Sequence, residues 1–156
     1  MEYYIILNDD GTIRTYSKVR SYLEHYGNNC INNTTVYNGI YQVLDYAFNH
    51  NIKMAVVSNK SEIFVKKIIN HFNMDKYFSP YIYGGDSFTE KKPSSLPINN
   101  TIKNININDI NNDEIMIIGD SKNDVIAGFN ANIKTCLCSY GYGFDKFNKY
   151  EVNERI

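Results

Sequence analysis

An α/β fold built from βαβ units around a mostly parallel sheet is the class this sequence predicts, on three observations. Short apolar runs alternate with stretches of helical periodicity along the chain. The run Ile115–Ile118, with Glu114 before it and Gly119 after it, has the composition of a strand buried on both faces of a parallel sheet. Polar clusters follow the predicted strands, and open parallel sheets bind ligands at the carboxyl ends of their strands.

Taken in order, Tyr3–Leu7 is a short apolar run that ends in Asn-Asp-Asp-Gly-Thr, a strand followed by a polar turn. Val19, Tyr22, Leu23 and Tyr26 recur at helical spacing and predict a helix over Tyr16–Tyr26, with Gly27 as its stop. Asn28–Thr35 reads as a loop. The next helix runs from Gly39 to about Asn49, with Ile40, Val43, Leu44, Ala47 and Phe48 on its inward stripe. Lys53–Val57 is a strand that delivers Ser58-Asn59-Lys60. Helix Glu62–Phe72 follows, turning Phe64, Val65, Ile68, Ile69 and Phe72 inward.

Tyr81–Tyr83 is a short strand closed by Gly84-Gly85-Asp86. The loop Ser87–Pro97 leads into a helix carrying Ile98, Ile102 and Ile105. The asparagine-rich stretch Asn104–Asn112 reads as surface loop. After the strand Ile115–Ile118, Val125–Asn130 is a short helix and Ile133–Leu137 a further strand. Ser139–Gly143 loops at its far end, and the polar tail after Asp145 is expected to be helical or frayed.

A chain of 156 residues, 43% apolar and 21% charged, fits a single soluble domain over residues 1–156. A net charge of −1 argues against nucleic acid or a membrane surface as partner. The N-terminal apolar run has no basic segment before it and is too short to span a bilayer. Three cysteines are an odd number, so reduced thiols in a cytoplasmic setting are expected. Cys136 and Cys138 lie on one face of their strand and read as buried packing.

The chemistry-bearing groups are Asp10 and Thr12 after the first strand, Ser58 after the second, Lys92 beyond the third, and Asp120 and Asp124 after the fourth. Together they describe a phosphate site with a metal. A serine hydroxyl donates to a phosphoryl oxygen, a lysine neutralises its charge, and paired carboxylates are the hard oxygen donors that Mg2+ prefers. One at a time each has a plainer reading: Ser58 as a helix cap, Lys92 as a surface lysine, Asp10-Gly11 as a turn, and Asp124 as an N-cap.

In these motifs the chain resembles the haloacid dehalogenase-like (HAD) hydrolase superfamily, in its phosphoglycolate phosphatase-like branch. The matching stretches are Asp10-Gly11-Thr12 after an apolar strand, Val56-Val57-Ser58-Asn59-Lys60, and Gly84-Gly85-Asp86 followed by Lys91-Lys92-Pro93. Gly119-Asp120-Ser121-Lys122-Asn123-Asp124, with Ala127-Gly128 and Asn130-Ala131 behind it, completes the set, and Tyr140-Gly141-Tyr142-Gly143 is also family-like. The resemblance is dense from Val36 to Gly143 and thin before it. It implies a Rossmann-like three-layer core that hydrolyses a small phosphate monoester through an aspartyl-phosphate with Mg2+. The phosphate-binding roles would fall on Thr12, Ser58, Asn59 and Lys92, the acid/base role on Asp10, and the metal on Asp10, Asp120 and Asp124, with the amide oxygen of Asn8 beside them.

Two features depart from the family pattern. The nucleophile position is Asn8, a neutral amide that cannot form the acyl phosphate; losing such a group costs roughly 10^4–10^6 in turnover. Asp9 points to the opposite face of an extended strand and does not replace it. The family's helical cap is reduced to a short helix and loop over residues 13–35, so the cap is minimal or deleted. The functional expectation is a phosphatase-like protein acting on a phosphoglycolate-like metabolite, as monomer or homodimer. The alternative is a catalytically inactive relative that binds Mg2+ and phosphate, or a protein partner.

Overall fold

The computed structural model describes residues 16–106, 110–141 and 154–155, with backbone only for 16–22 and 154–155. The chain divides after Asn38 into two units. In the first, helix α1 spans Tyr16–Asn29. Gly27 does not stop it: the helical bonding continues to Cys30, whose N–H donates to the Tyr26 carbonyl at 2.7 Å. One glycine costs a helix only about 1 kcal/mol, and polar side chains seal the end here. The Asn29 amide donates to the His25 carbonyl at 2.8 Å, and the Thr34 hydroxyl to the Cys30 carbonyl at 2.7 Å. The predicted strand Tyr3–Leu7 and the turn Asn8–Thr12 lie outside the described residues.

In the second unit the order is α2 (Ile40–Asn49), β1 (Val56–Val57), α3 (Glu62–His71), α4 (Asp75–Phe78), β2 (Ile82–Tyr83), α5 (Leu96–Ile105), a 3-10 turn (Asn112–Glu114), β3 (Met116–Gly119), α6 (Lys122–Asn130), β4 (Lys134–Leu137) and β5 (Glu154–Arg155). Among the described residues every strand pairing is parallel, as the alternation of strands and helices predicts. The pairings form two sheets, β1-β2 and β3-β4-β5. Val56 lies opposite Ile82, and Met116 through Gly119 lie opposite Lys134 through Leu137. Glu154 pairs with Cys136, so this part of the tail is strand rather than helix.

The core sits where α5 and α6 cover the strands. Ile98, Ala127 and Ile133 are buried against Val57, Ile102, Ile115, Ile117 and Ala131, which ties β1 to β3 although they belong to different sheets. Helix α6 lies so close to β3 and β4 that a Cβ on Gly128 would overlap Ile117 and Thr135. Pro97 belongs to the first turn of α5 rather than to the loop, a position that has no use for its missing N–H. Asn104 likewise belongs to α5, and its amide donates to the Tyr83 hydroxyl at 3.0 Å.

The expected double burial of Ile115–Ile118 is corrected. Met116 is 42% exposed and Ile118 58%, while Ile115 and Ile117 turn into the core. Strand residues alternate faces, and α5 and α6 cover only one of them. The stripe of α2 is also narrower than its periodicity suggests. Leu44 is buried and Ile40 and Ala47 are half-buried, but Val43 and Phe48 are exposed. Helix α2 is held partly by polar links, the Tyr77 hydroxyl to Asp45 at 2.5 Å and the Tyr41 hydroxyl to the Phe72 carbonyl at 3.0 Å. Helix α3 turns Val65 fully and Phe64, Ile68, Ile69 and Phe72 partly inward, as expected. All three cysteines are buried free thiols.

Candidate active site

Lys92 joins the carboxyl end of β1 to the start of α6. It is 9% exposed, and its ammonium donates to the Val57 carbonyl and to Asp124 Oδ1, the latter at 2.6 Å. A cation removed from water to this degree requires such partners. The peptide bond from Lys92 to Pro93 is cis.

Ser58 follows β1 directly, and its N–H donates to the Tyr83 carbonyl at 3.0 Å, one step past the last ladder pair. Its hydroxyl oxygen accepts the Lys60 N–H at 3.1 Å, closing a tight turn ahead of α3. The N-cap position of α3 is Ser61, yet the capping acceptor comes from the loop after β2. Asp86 accepts the Ser61 hydroxyl at 2.5 Å and the Glu62 N–H at 2.7 Å. These two bonds, the Ser61 hydroxyl foremost, hold the Asp86 carboxyl below its usual range. Glu62 is also held low, first by Lys66 and then by the Ser87 hydroxyl. The Gly85 N–H donates to the Lys60 carbonyl at 2.8 Å, so the two loops are laced together along their length.

Asp120 and Asp124 flank the β3–α6 turn. Asp124 Oδ2 accepts the Ser121 N–H at 3.0 Å and the Ser121 hydroxyl at 2.6 Å, while Oδ1 takes Lys92. A Cβ on Gly119 would overlap this carboxylate. Asp120 is half-buried at the end of β3, and its side chain lies against Gly141, where a Cβ would collide with it. Both glycines therefore occupy space that the acidic pair needs.

The structure thus links the Ser58 turn, Lys92 and Asp124 in one network at the carboxyl ends of β1 and β3, with Asp120 at the same end of β3. Asn8, Asp10 and Thr12 lie outside the described residues. The Asn59 amide, expected on phosphate, donates to the Lys92 carbonyl at 2.7 Å. Both Asp124 oxygens, expected on metal, are engaged by protein donors. Among the described residues no group of three or more His, Cys, Asp or Glu is arranged to hold a metal. Among the described residues Asp120 places a carboxylate at the end of β3, and Mg2+, which keeps several waters, takes one or two carboxylates. Asp86 stands in the Gly84-Gly85-Asp86 motif, but its role as the external cap of α3 was not legible, because it follows that helix by fifteen residues in the chain.

Parallel strands thus carry a lysine–carboxylate bridge and a serine turn at their carboxyl ends. The model of the haloacid dehalogenase-like hydrolase family matches residues 2–138, and the chain belongs to that family. Within it the sequence is phosphoglycolate phosphatase-like. It is 38% identical over 124 residues to the phosphoglycolate phosphatase of Aquifex aeolicus, covering 80% of this chain and 56% of that protein. A predicted phosphoglycolate phosphatase from Haemophilus somnus superposes with a TM-score of 0.73 at 28% identity, covering 81% of this chain and 54% of the other. CbbY from Rhodobacter sphaeroides, solved with phosphate, shares the fold with a TM-score of 0.74 at 18% identity, over 88% of this chain and 61% of that one. The chain spans about half the length of the phosphoglycolate phosphatase relatives it matches.

Proposed function

We propose that this chain carries the phosphate site of a HAD-type phosphatase for a small, phosphoglycolate-like monoester, with its hydrolytic step strongly depressed by Asn8. The observation that carries the reading is Lys92, buried at the carboxyl end of β1 and fixed there by Val57 and Asp124. In this reading the Ser58 hydroxyl donates to one phosphoryl oxygen and the Lys92 ammonium neutralises another. Asp124 holds the ammonium in place.

Asp120 would take part in holding Mg2+, which when bound polarises the phosphoryl group and offsets its charge; the metal-binding roles of Asn8 and Asp10 rest on the sequence motif. Asp10 would carry the proton to the leaving oxygen. Asn8 provides no carboxylate to attack phosphorus, so the protein binds its ligand and turns it over slowly. Three free cysteines suit a reducing compartment such as the cytoplasm, and among the described residues no helix is long and apolar enough to cross a membrane.

Calorimetric titration with inorganic phosphate, with and without Mg2+, tests the reading. Binding that strengthens with Mg2+ and disappears in Ser58→Ala and Lys92→Ala is the expected result. Phosphate binding unchanged in both variants would overturn it.

A further inference from the structure

Lys92 is restrained at more than its ammonium. The Asn59 amide, from the turn after β1, donates to the Lys92 carbonyl at 2.7 Å. The Asn130 amide, from the last turn of α6, donates to the next carbonyl, that of Pro93, at 3.0 Å. Two consecutive main-chain acceptors in a loop are thus held by primary amides from two different elements, while the side chain is held by Val57 and Asp124. A loop lysine unrestrained at its backbone would have to fix many rotors each time it met an anion, and ordering such side chains costs about 1 kcal/mol or more.

We propose that Asn59 and Asn130 are positioning residues, a pair of amide clamps that fix the Lys92–Pro93 main chain and so keep the ammonium aimed along the β1 edge. Asn130 lies farther from the site than Asn59. It is exposed, sits at the far end of α6 from Asp124, and acts on the site only through the Pro93 carbonyl. The inference deepens the phosphate-site reading and rests on it for its effect on ligand affinity.

The test uses the full chain labelled with 15N-lysine. The Lys92 ammonium resonance, identified by its loss in Lys92→Arg, reports whether the group is held without any ligand. Asn130→Leu and Asn59→Leu keep side-chain size but remove the donor, and Phe129→Ala, at a 79% exposed neighbour, is the control. The expected result is a Lys92 signal broadened or shifted by both leucine variants and unaltered by the control, with inorganic phosphate bound three- to tenfold more weakly. Asn130→Gln, which keeps a donor, should recover part of the affinity. An unchanged Lys92 resonance in both leucine variants would overturn the clamp. An altered resonance with unchanged phosphate affinity would overturn its role in binding. If the parent chain bound no phosphate, the function reading would fail, and the resonance would still decide the clamp.

Discussion

Lys92 and Asp124 form an ion pair whose side chains are only 10% and 11% exposed. Such a pair contributes little when formed but leaves an uncompensated charge when halved, at a cost of about 3–5 kcal/mol. Urea denaturation of Lys92→Met should therefore show a loss of about 3 kcal/mol, with part of it restored in Lys92→Met/Asp124→Asn. A loss below about 1 kcal/mol would mean that the pair is solvated like a surface bridge. Gly119→Ala should also be destabilising, because its Cβ would overlap the Asp124 carboxylate. Ser58, Asp120 and Asp124 were legible because each directly follows a strand or opens a helix, and Lys92 because it stands in Lys91-Lys92-Pro93 in the loop after the third strand. What the motif did not reveal is which groups are already engaged. Asn59 and Asp124 resemble ligand-binding residues by spacing, and the structure has them bonded to Lys92.

At the scale of elements, α3 is capped from outside by Asp86, a tie between the Ser58 turn and the β2 loop. The folded-state pKa values of Asp86 and Glu62 are lowered, so their contribution to stability is complete above the ordinary carboxylate value, near 4. It is lost as the pH falls through the lower folded values. Asp86→Ala should cost about 1 kcal/mol at neutral pH, as other N-cap losses do. The gap between parent and variant should close toward pH 2, which denaturation at the two pH values checks. A gap independent of pH would contradict this ionic capping role. Helices α2, α3 and α5 were legible from their apolar period, and the helix α4 was not. Its one turn is too short to show a period, and only the burial of Tyr77 marks it as part of the packing. Strands β1 and β2 are two-residue ladders, so their predicted lengths were too generous. The exposure of Met116 and Ile118 was hidden because an apolar run does not say how many of its faces are covered.

For the whole molecule, parallel α/β architecture followed from the alternation of elements, and family membership followed from motifs spread across the chain. The β5 pairing at Glu154–Arg155 was not legible, since nothing apolar or alternating marks that segment as strand. In the proposed reading Asn8 separates likeness from activity: the other residues assigned to the phosphate site are in the sequence, while the position assigned to the attacking carboxylate is an amide. The direct measurement is turnover of p-nitrophenyl phosphate and phosphoglycolate, with Mg2+, by the parent chain and by Asn8→Asp. Loss of a covalent nucleophile typically costs roughly 10^4-fold or more, so Asn8→Asp should exceed the parent by about that factor and lose the gain again when Lys92→Ala is added. Equal rates for parent and Asn8→Asp, or a gain that survives Lys92→Ala, would contradict the assignment.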